Sequence, residues 1–258
     1  MSAFEQTIAS IQPVTKGGFR ARLAQTPADL QMAQQLRYDM FVGTSEQEQS
    51  LDSDPFDAFC QHVLIEDVET GILQSCFRIM HLNNGKNIGN TYSAQFYDLT
   101  RIASYAKAIL EIGRFCTAPD ATDPNILRLG WAVLTRYVDT HNIGLMIGCS
   151  SFPGNDTAPF TDALSLLETR HLAPKEWAPQ IKSPETDAFA SRLADHKPTL
   201  RTATATMPPL LRTYLSMGGW VSDHAVIDRA LDTFHVFTGV EIANIPPRRV
   251  QLLRADAQ

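Results

Sequence analysis

Apolar residues recur at Leu30, Ala33, Leu36, Met40 and Phe41, the spacing of one helical face. Thr26-Pro27-Ala28-Asp29 precedes this stripe and Gly43 follows it. Thr caps a helix, Pro fits its first turn and Asp complements its dipole, so a helix is predicted from Pro27 up to Gly43. The polar, acidic stretch 44–57 reads as a loop. Residues 61–68 and 72–80 read as strands joined by a hairpin turn at 69–71. Asn83-Asn84-Gly85 marks another turn, and 95–99 reads as a short helix. Ile109, Leu110, Ile112 and Phe115 lie in a run bounded by polar segments, which predicts a buried strand over 109–117. Asp123-Pro124 is a second cap-plus-proline start. The stripe Ile126, Val133, Leu134, Tyr137 and Val138 follows it, and His141-Asn142 closes the helix. A further apolar strand is predicted over 143–149. Strand, helix, strand in this order predicts a parallel crossover.

The polar run 150–156 follows that strand at its C-terminal end, where ligands gather in α/β sheets. A helix is predicted over 157–170. Residues 173–198 carry several prolines and little periodicity, and read as an irregular excursion or flap over a site. Residues 208–217 read as a helix closed by Gly218-Gly219, and 220–227 and 233–242 as strands. No internal repeat is present. The pattern predicts an α/β fold, with 1–258 as a single domain.

A chain of 258 residues, 44% hydrophobic, can bury a proper core. Its formal charge of -6 argues against nucleic acid as the main partner, because phosphate binding requires a basic face. The closest approach to a basic patch, Pro247-Arg248-Arg249, is too small to anchor a protein to anionic lipid. No apolar run is long enough to span a bilayer, and residues 1–25 lack the cationic start and apolar stretch of a signal peptide. The cytoplasm is the default compartment. The cysteines, Cys60, Cys76, Cys116 and Cys149, lack metal-ligand spacing. They are expected to be buried thiols, and no metal is expected.

Charge inside the apolar pattern is the chemical signal. Glu111 and Arg114 lie in the predicted buried strand, where charges are unfavourable unless paired. Upstream lie Arg37 on the first helix, the acidic loop Asp52-Ser53-Asp54-Pro55-Phe56-Asp57, and Arg78 on the second strand. Such a set builds either a site for a polar substrate or a structural ion-pair network. His62 and Asp67 match the spacing of a glycerolipid acyltransferase motif, yet an odd separation places them on opposite faces of a strand, so they are not catalytic. Cys149 lacks the surroundings of a nucleophile.

Arg37-Tyr38-x-x-Phe41, Asp54-x-Phe56-Asp57, Arg78 and Glu111-x-x-Arg114-Phe115 resemble the charged signature of acyl-homoserine-lactone synthases. A longer resemblance, over about 36–228, is to their relatives, the ornithine N-alpha-acyltransferases. It includes Phe56-Asp57-x-x-Cys60-x-His62, the run 148–154 and Gly218-Gly219-Trp220-Val221-x-Asp223. It implies the GNAT-like N-acyltransferase fold: a mixed sheet flanked by helices and splayed between its fourth and fifth strands. It implies transfer of a 3-hydroxyacyl chain from acyl carrier protein to the α-amine of ornithine, giving lyso-ornithine lipid. No bound cofactor is implied, since the donor rides on the carrier's phosphopantetheine. Transient contact with the inner membrane surface fits the amphiphilic product.

The chain departs from the wider N-acetyltransferase pattern at 118–124. That turn has no glycine, carries Asp120 and Asp123, and loses two backbone donors to Pro119 and Pro124, so a coenzyme A pyrophosphate would be poorly received. The resemblance casts Glu111 and Arg114 as the catalytic pair, with Glu111 the general base. Asp54 and Asp57 would hold the cationic amino acid. Arg37, Arg78 and Arg114 would fix a carboxylate or knit the loop to the sheet. Cys149, Ser150 and Ser151, with Asp156, would border the acyl or amine group, and Asp223 would line the amine pocket. Lactone synthesis from S-adenosylmethionine, acylation of another amino acid such as glycine, and a catalytically dead acyl-binding domain are the alternatives.

Overall fold

The computed structural model describes residues 12–43 and 50–257. Positions 44–49 of the predicted acidic loop and residues 1–11 lie outside the described residues. A short hairpin, β1 (Val14–Lys16) and β2 (Phe19–Leu23), leads into α1 (Pro27–Phe41). Then follow β3 (Gln61–Asp67), β4 (Leu73–Leu82), β5 (Tyr97–Asp98), β6 (Ala108–Thr117), α2 (Pro124–His141) and β7 (Ile143–Pro153). The second half carries α3 (Thr161–Arg170), β8 (Gln180–Ile181), β9 (Thr186–Asp187), α4 (Phe189–Arg192), α5 (Leu200–Thr206) and α6 (Pro209–Ser216). It ends with β10 (Trp220–Asp228), β11 (Thr233–Glu241) and α7 (Pro247–Asp256).

The local signals for α1 and α2 act as their chemistry requires. Asp29 N donates to Thr26 Oγ1 at 3.1 Å and Thr26 N donates to Asp29 Oδ2 at 3.0 Å, a reciprocal capping box. Asn142 closes α2 in the left-handed region, φ 50°. Among the described residues the main sheet has nine strands, ordered β1-β2-β3-β4-β6-β7-β11-β10-β9. Every pairing is antiparallel except β6 with β7, the pair that α2 connects. Alternation divides β6 between two cores. Leu110 and Ile112 pack with Leu129 and Val133 of α2 on one face. Ile109 packs with Met80 and Ile147 on the other, the face towards which Glu111 points.

The β6–β7 ladder runs from Ala108↔Ile143 to Glu111↔Ile147 and stops, although both strands continue. At the stopping point the strands are close: a Cβ on Gly148 would lie 2.5 Å from the Ile112 carbonyl oxygen. Arg114 takes φ 53°, a left-handed conformation that a non-glycine residue adopts at about 1–3 kcal/mol. The sheet forks here, between central strands as the resemblance implies, although β6 and β7 are the fifth and sixth strands of the order and not the fourth and fifth.

Several elements differ from expectation. Residues 95–99 are no helix: a 3-10 turn at Ser93–Gln95 runs into β5, because Tyr97 is drawn into the core and fully buried. The polar run expected as a loop after 149 remains strand to Pro153, since β11 pairs it through Phe234↔Phe152 and Thr233↔Pro153. Phe152 stacks on Phe234 with ring centroids 4.8 Å apart. Residues 173–198 contain β8, which pairs with β5, and β9, which pairs with β10. Among the described residues no helix is long and apolar enough to cross a membrane.

The contact at Gly148 tests the fork. Gly148→Ala pushes a methyl group into the Ile112 carbonyl and is expected to lose about 1–3 kcal/mol of stability in urea unfolding. Wild-type stability would show that the strands do not meet there.

Candidate active site

Loop residues 50–59 are tied to α1, β4 and β6 by charge. Asp54 caps the 3-10 turn Pro55–Phe59, accepting from Phe56 N at 2.9 Å. Arg37 on α1 is 1% exposed, with Nε 2.7 Å from Asp52 Oδ2 and Nη1 2.9 Å from Asp57 Oδ1. Arg78 on β4 places Nη1 2.6 Å from both Asp54 Oδ1 and Asp57 Oδ1, and Nη2 2.8 Å from Asp54 Oδ2. Arg114 on β6 reaches Asp52 Oδ2 at 2.9 Å and Asp54 Oδ2 at 3.3 Å. Three guanidiniums therefore face three carboxylates. Burial alone would raise the Asp57 carboxyl. Hydrogen bonds from Arg37 and Gln34, with the Arg37 charge, outweigh it and hold the pKa at about 2.

Arg78 and Arg114 are also walls of a cavity of about 350 Å³ that enters the fork. Glu111 stands where the ladder ends, 4% exposed. Its Oε1 accepts from Ser93 N at 2.8 Å and Ser93 Oγ at 2.6 Å, and its Oε2 from Tyr92 N at 2.8 Å. Burial raises the Glu111 carboxyl pKa, against the pull of those hydrogen bonds. The partners are Tyr92 and Ser93, and among the described residues Glu111 forms no ion pair with Arg37 or Arg114. Arg114 lies over the Tyr92 ring, 4.8 Å from its centroid. On the other side of the sheet the cavity is apolar, bounded by Ile112, Phe115, Leu210 and Leu211.

Of the other sequence candidates, Cys149, Ser150 and Ser151 line the same cavity. Cys149 is a protonated thiol, pushed up to about 12 by burial, with Sγ 3.5 Å from Ser93 Oγ. Ser150 accepts from Thr238 Oγ1 at 2.8 Å. Arg37, Asp54 and Asp57 stand behind the wall. Both aspartates are engaged by arginine, which corrects the expectation that they hold the cationic amino acid. Asp223 is not in the cavity: its side chain is 65% exposed and hydrogen-bonds His224 Nδ1 at 2.6 Å. Asp156 caps a turn at Ala158 N, also outside it. No lining residue comes from 173–198, so that excursion does not cover the cavity. His62 is buried and Asp67 sits in the β3–β4 turn, at opposite ends of one strand.

Sequence reasoning missed Tyr92, Ser93, Asp228 and His235, all cavity residues. The backbone N–H groups that Tyr92 and Ser93 supply to Glu111 have no sequence signature. Among the described residues no cluster of His, Cys, Asp or Glu is arranged to hold a metal ion. The first turn of α2 is already capped: Asn125 N donates to Asp123 Oδ1 at 2.7 Å.

Residues 36–132 match the family model described as an acetyltransferase (GNAT) domain. The L-ornithine N(alpha)-acyltransferase of Rhodobacter capsulatus is 30% identical, over 84% of this chain and 88% of that protein. The L-ornithine N(alpha)-acyltransferase of Brucella abortus is 30% identical, over 93% and 90%. Among solved structures, FeeM, an N-acyl amino acid synthase from uncultured soil microbes, aligns with a TM-score of 0.45 and 10% identity, over 90% of this chain and 93% of that one.

The buried charge cluster sets a stability test. Arg37→Ala leaves Asp52 with Arg114 alone and Asp57 with Arg78 alone, unbalances the buried cluster, and is expected to lose about 3–5 kcal/mol in denaturant unfolding. Because the folded-state pKa of Asp57 is depressed, its contribution is present above the ordinary carboxylate pKa and is lost as pH falls towards about 2. Stability of the wild type should therefore fall more steeply than that of Arg37→Ala between about pH 4 and pH 2. Parallel curves would separate Asp57 from Arg37.

Proposed function

The chain belongs to the L-ornithine N(alpha)-acyltransferase family, and from that premise we propose that it moves a 3-hydroxyacyl chain from acyl carrier protein to the α-amine of ornithine, giving lyso-ornithine lipid. The observation that carries the reading is the fork cavity, which joins a charged chamber containing Glu111 and Arg114 to an apolar one. A fatty thioester and an amino acid need those two environments side by side.

In this reading the thioester lies in the fork. Beyond Glu111 the facing edges of β6 and β7 no longer pair with each other. Backbone N–H groups on those edges donate to the thioester oxygen as it becomes an oxyanion. The neutral amine attacks the carbonyl carbon, the C–N bond forms and the C=O electron pair moves to oxygen. Glu111 Oε2 holds one hydrogen bond and keeps an acceptor position for the amine proton. The oxyanion collapses, the C–S bond breaks, and the proton passes from Glu111 to the thiolate. Arg114 gives two hydrogen bonds to these carboxylates where Arg37 and Arg78 give three each, so it is the least committed of the three arginines. It takes the α-carboxylate.

The capped α2 N-terminus, with Asp120 and Asp123 beside it, favours a donor that brings only phosphopantetheine. Acyl carrier protein is the partner this supports. The reaction then takes place in the cytoplasm, with transient adsorption at the inner membrane face as the amphiphilic product leaves.

Incubation with 3-hydroxyacyl carrier protein and ornithine should yield the amide by mass spectrometry, and free acyl-coenzyme A should be at least about 10-fold poorer. A lactone formed from S-adenosylmethionine, or turnover of glycine in place of ornithine, would replace this reading. Glu111→Gln should lower kcat by about 100-fold or more while thermal unfolding confirms a folded chain. Full activity in a folded variant would remove Glu111 from the mechanism.

A further inference from the structure

Two polar groups on the cavity wall take no part in the mechanism above. His235 on β11 is 2% exposed, and its Nε2 has no hydrogen-bond partner. Its Nδ1 lies 3.0 Å from the Tyr97 hydroxyl, which also lies 2.8 Å from the His235 carbonyl oxygen. One hydroxyl proton cannot serve both. Both contacts are satisfied when Tyr97 donates to the carbonyl and accepts from Nδ1–H. That tautomer leaves a bare, buried lone pair on Nε2 of a residue that lines the cavity. A buried acceptor without a donor is unfavourable and is rare in native proteins.

Asp228, at the end of β10, borders the same cavity and is 8% exposed. Its Oδ1 accepts from Ala230 N at 3.1 Å and Leu231 N at 3.3 Å, which fixes the carboxylate in the hairpin turn. Among the described residues no Arg or Lys forms an ion pair with it. Burial lowers the His235 pKa to about 4, against the pull of the Asp228 charge, so the imidazole is neutral at ordinary pH. The other titratable neighbours are His224 on β10, the Tyr97 hydroxyl, and across β7 the protonated Cys149 thiol. A lone pair and an uncompensated carboxylate share one recess.

We propose that Asp228 and His235 Nε2 form the subsite for the side-chain ammonium of the acceptor amino acid. The inference rests on the acceptor reading given above. Arg114 lies over the Tyr92 ring, and Asp228 lines the same cavity, so one cavity wall carries a cation and an anion. An amino acid with a cationic side chain matches that layout, its carboxylate at Arg114 and its distal ammonium at Asp228. The ammonium donates to Nε2 and to the carboxylate, satisfying the orphaned acceptor with charge-assisted bonds. Asp54 and Asp57 cannot do this work because arginines already occupy them.

The test is acceptor selectivity, read as the ratio of kcat/KM for ornithine to that for norvaline, the same carbon chain without the distal amine. The wild-type ratio should be about 100 or more. Asp228→Asn should bring it down towards one, and His235→Phe should lower it by at least about 10-fold. A variant that merely loosened the fold would slow both acceptors alike, and an unchanged ratio would overturn the subsite. If neither variant folds, the wild-type chain labelled with ¹⁵N-histidine decides. The Nε2 resonance of His235 should shift with ornithine and not with norvaline, and equal response to both would overturn the proposal. A wild type that acylates no amino acid would remove the acceptor reading and the subsite together. A wild type selective for ornithine whose ratio survives Asp228→Asn would remove the subsite alone.

Discussion

Two parallel strands that stop pairing in mid-sheet are the constraint on which this molecule turns. β6 and β7 hold together through Glu111↔Ile147 and then part. Backbone groups opened inside a core are unfavourable unless something pairs with them. At the point of divergence a buried carboxylate is also met: the turn at Tyr92 and Ser93 delivers three donors to the Glu111 side chain. The remainder of the opening is the cavity, apolar on the α2 side and polar on the other. An enzyme that joins a fatty acyl group to an amine needs such a passage, because its substrates differ in solubility and must meet at one atom.

The charged residues divide into two groups by what surrounds them. Arg37, Arg78, Arg114, Asp52, Asp54 and Asp57 balance one another and bind the 50–59 loop to α1 and the sheet. Buried pairs of this kind contribute little net stability over well-packed apolar residues, yet removing one partner is severe. Their effect is positional, since they set where the Arg114 guanidinium stands at the cavity wall. Asp228 has no cationic partner among the described residues and stands in the cavity itself. A cavity with Arg114 and Asp228 both in its wall is matched to a small molecule of both signs.

Much of the scaffold is legible in the residue order. The Thr26–Asp29 box and the left-handed Asn142 cap arise from interactions within a few residues, and the strand, helix, strand order foretells the crossover through α2. The buried strand carrying Glu111 and Arg114 stands out because charge interrupts an apolar run. The last turns of β7 do not stand out, since Ser150, Ser151 and Pro153 read as loop until β11 is laid beside them. Tyr97 likewise reads as helical from its neighbours, and only its place in the core makes it extended.

The residue order by itself determined the main helices and most of the long strands, the crossover and the set of charged residues from which a site could be built, because capping, periodicity and alternation are properties of neighbours in the chain. The tertiary structure alone decided which of those charges neutralise one another and which face an open cavity. His235 in a strand reads as an ordinary core residue, and its bare nitrogen is defined by Tyr97, 138 residues away. Asp54 and Asp57 read as ligands for a cation until three-dimensional register brings Arg37 and Arg78 against them. The net charge a carboxylate presents depends on what long-range pairing places within a few ångströms of it, and spacing along the chain does not carry that distance.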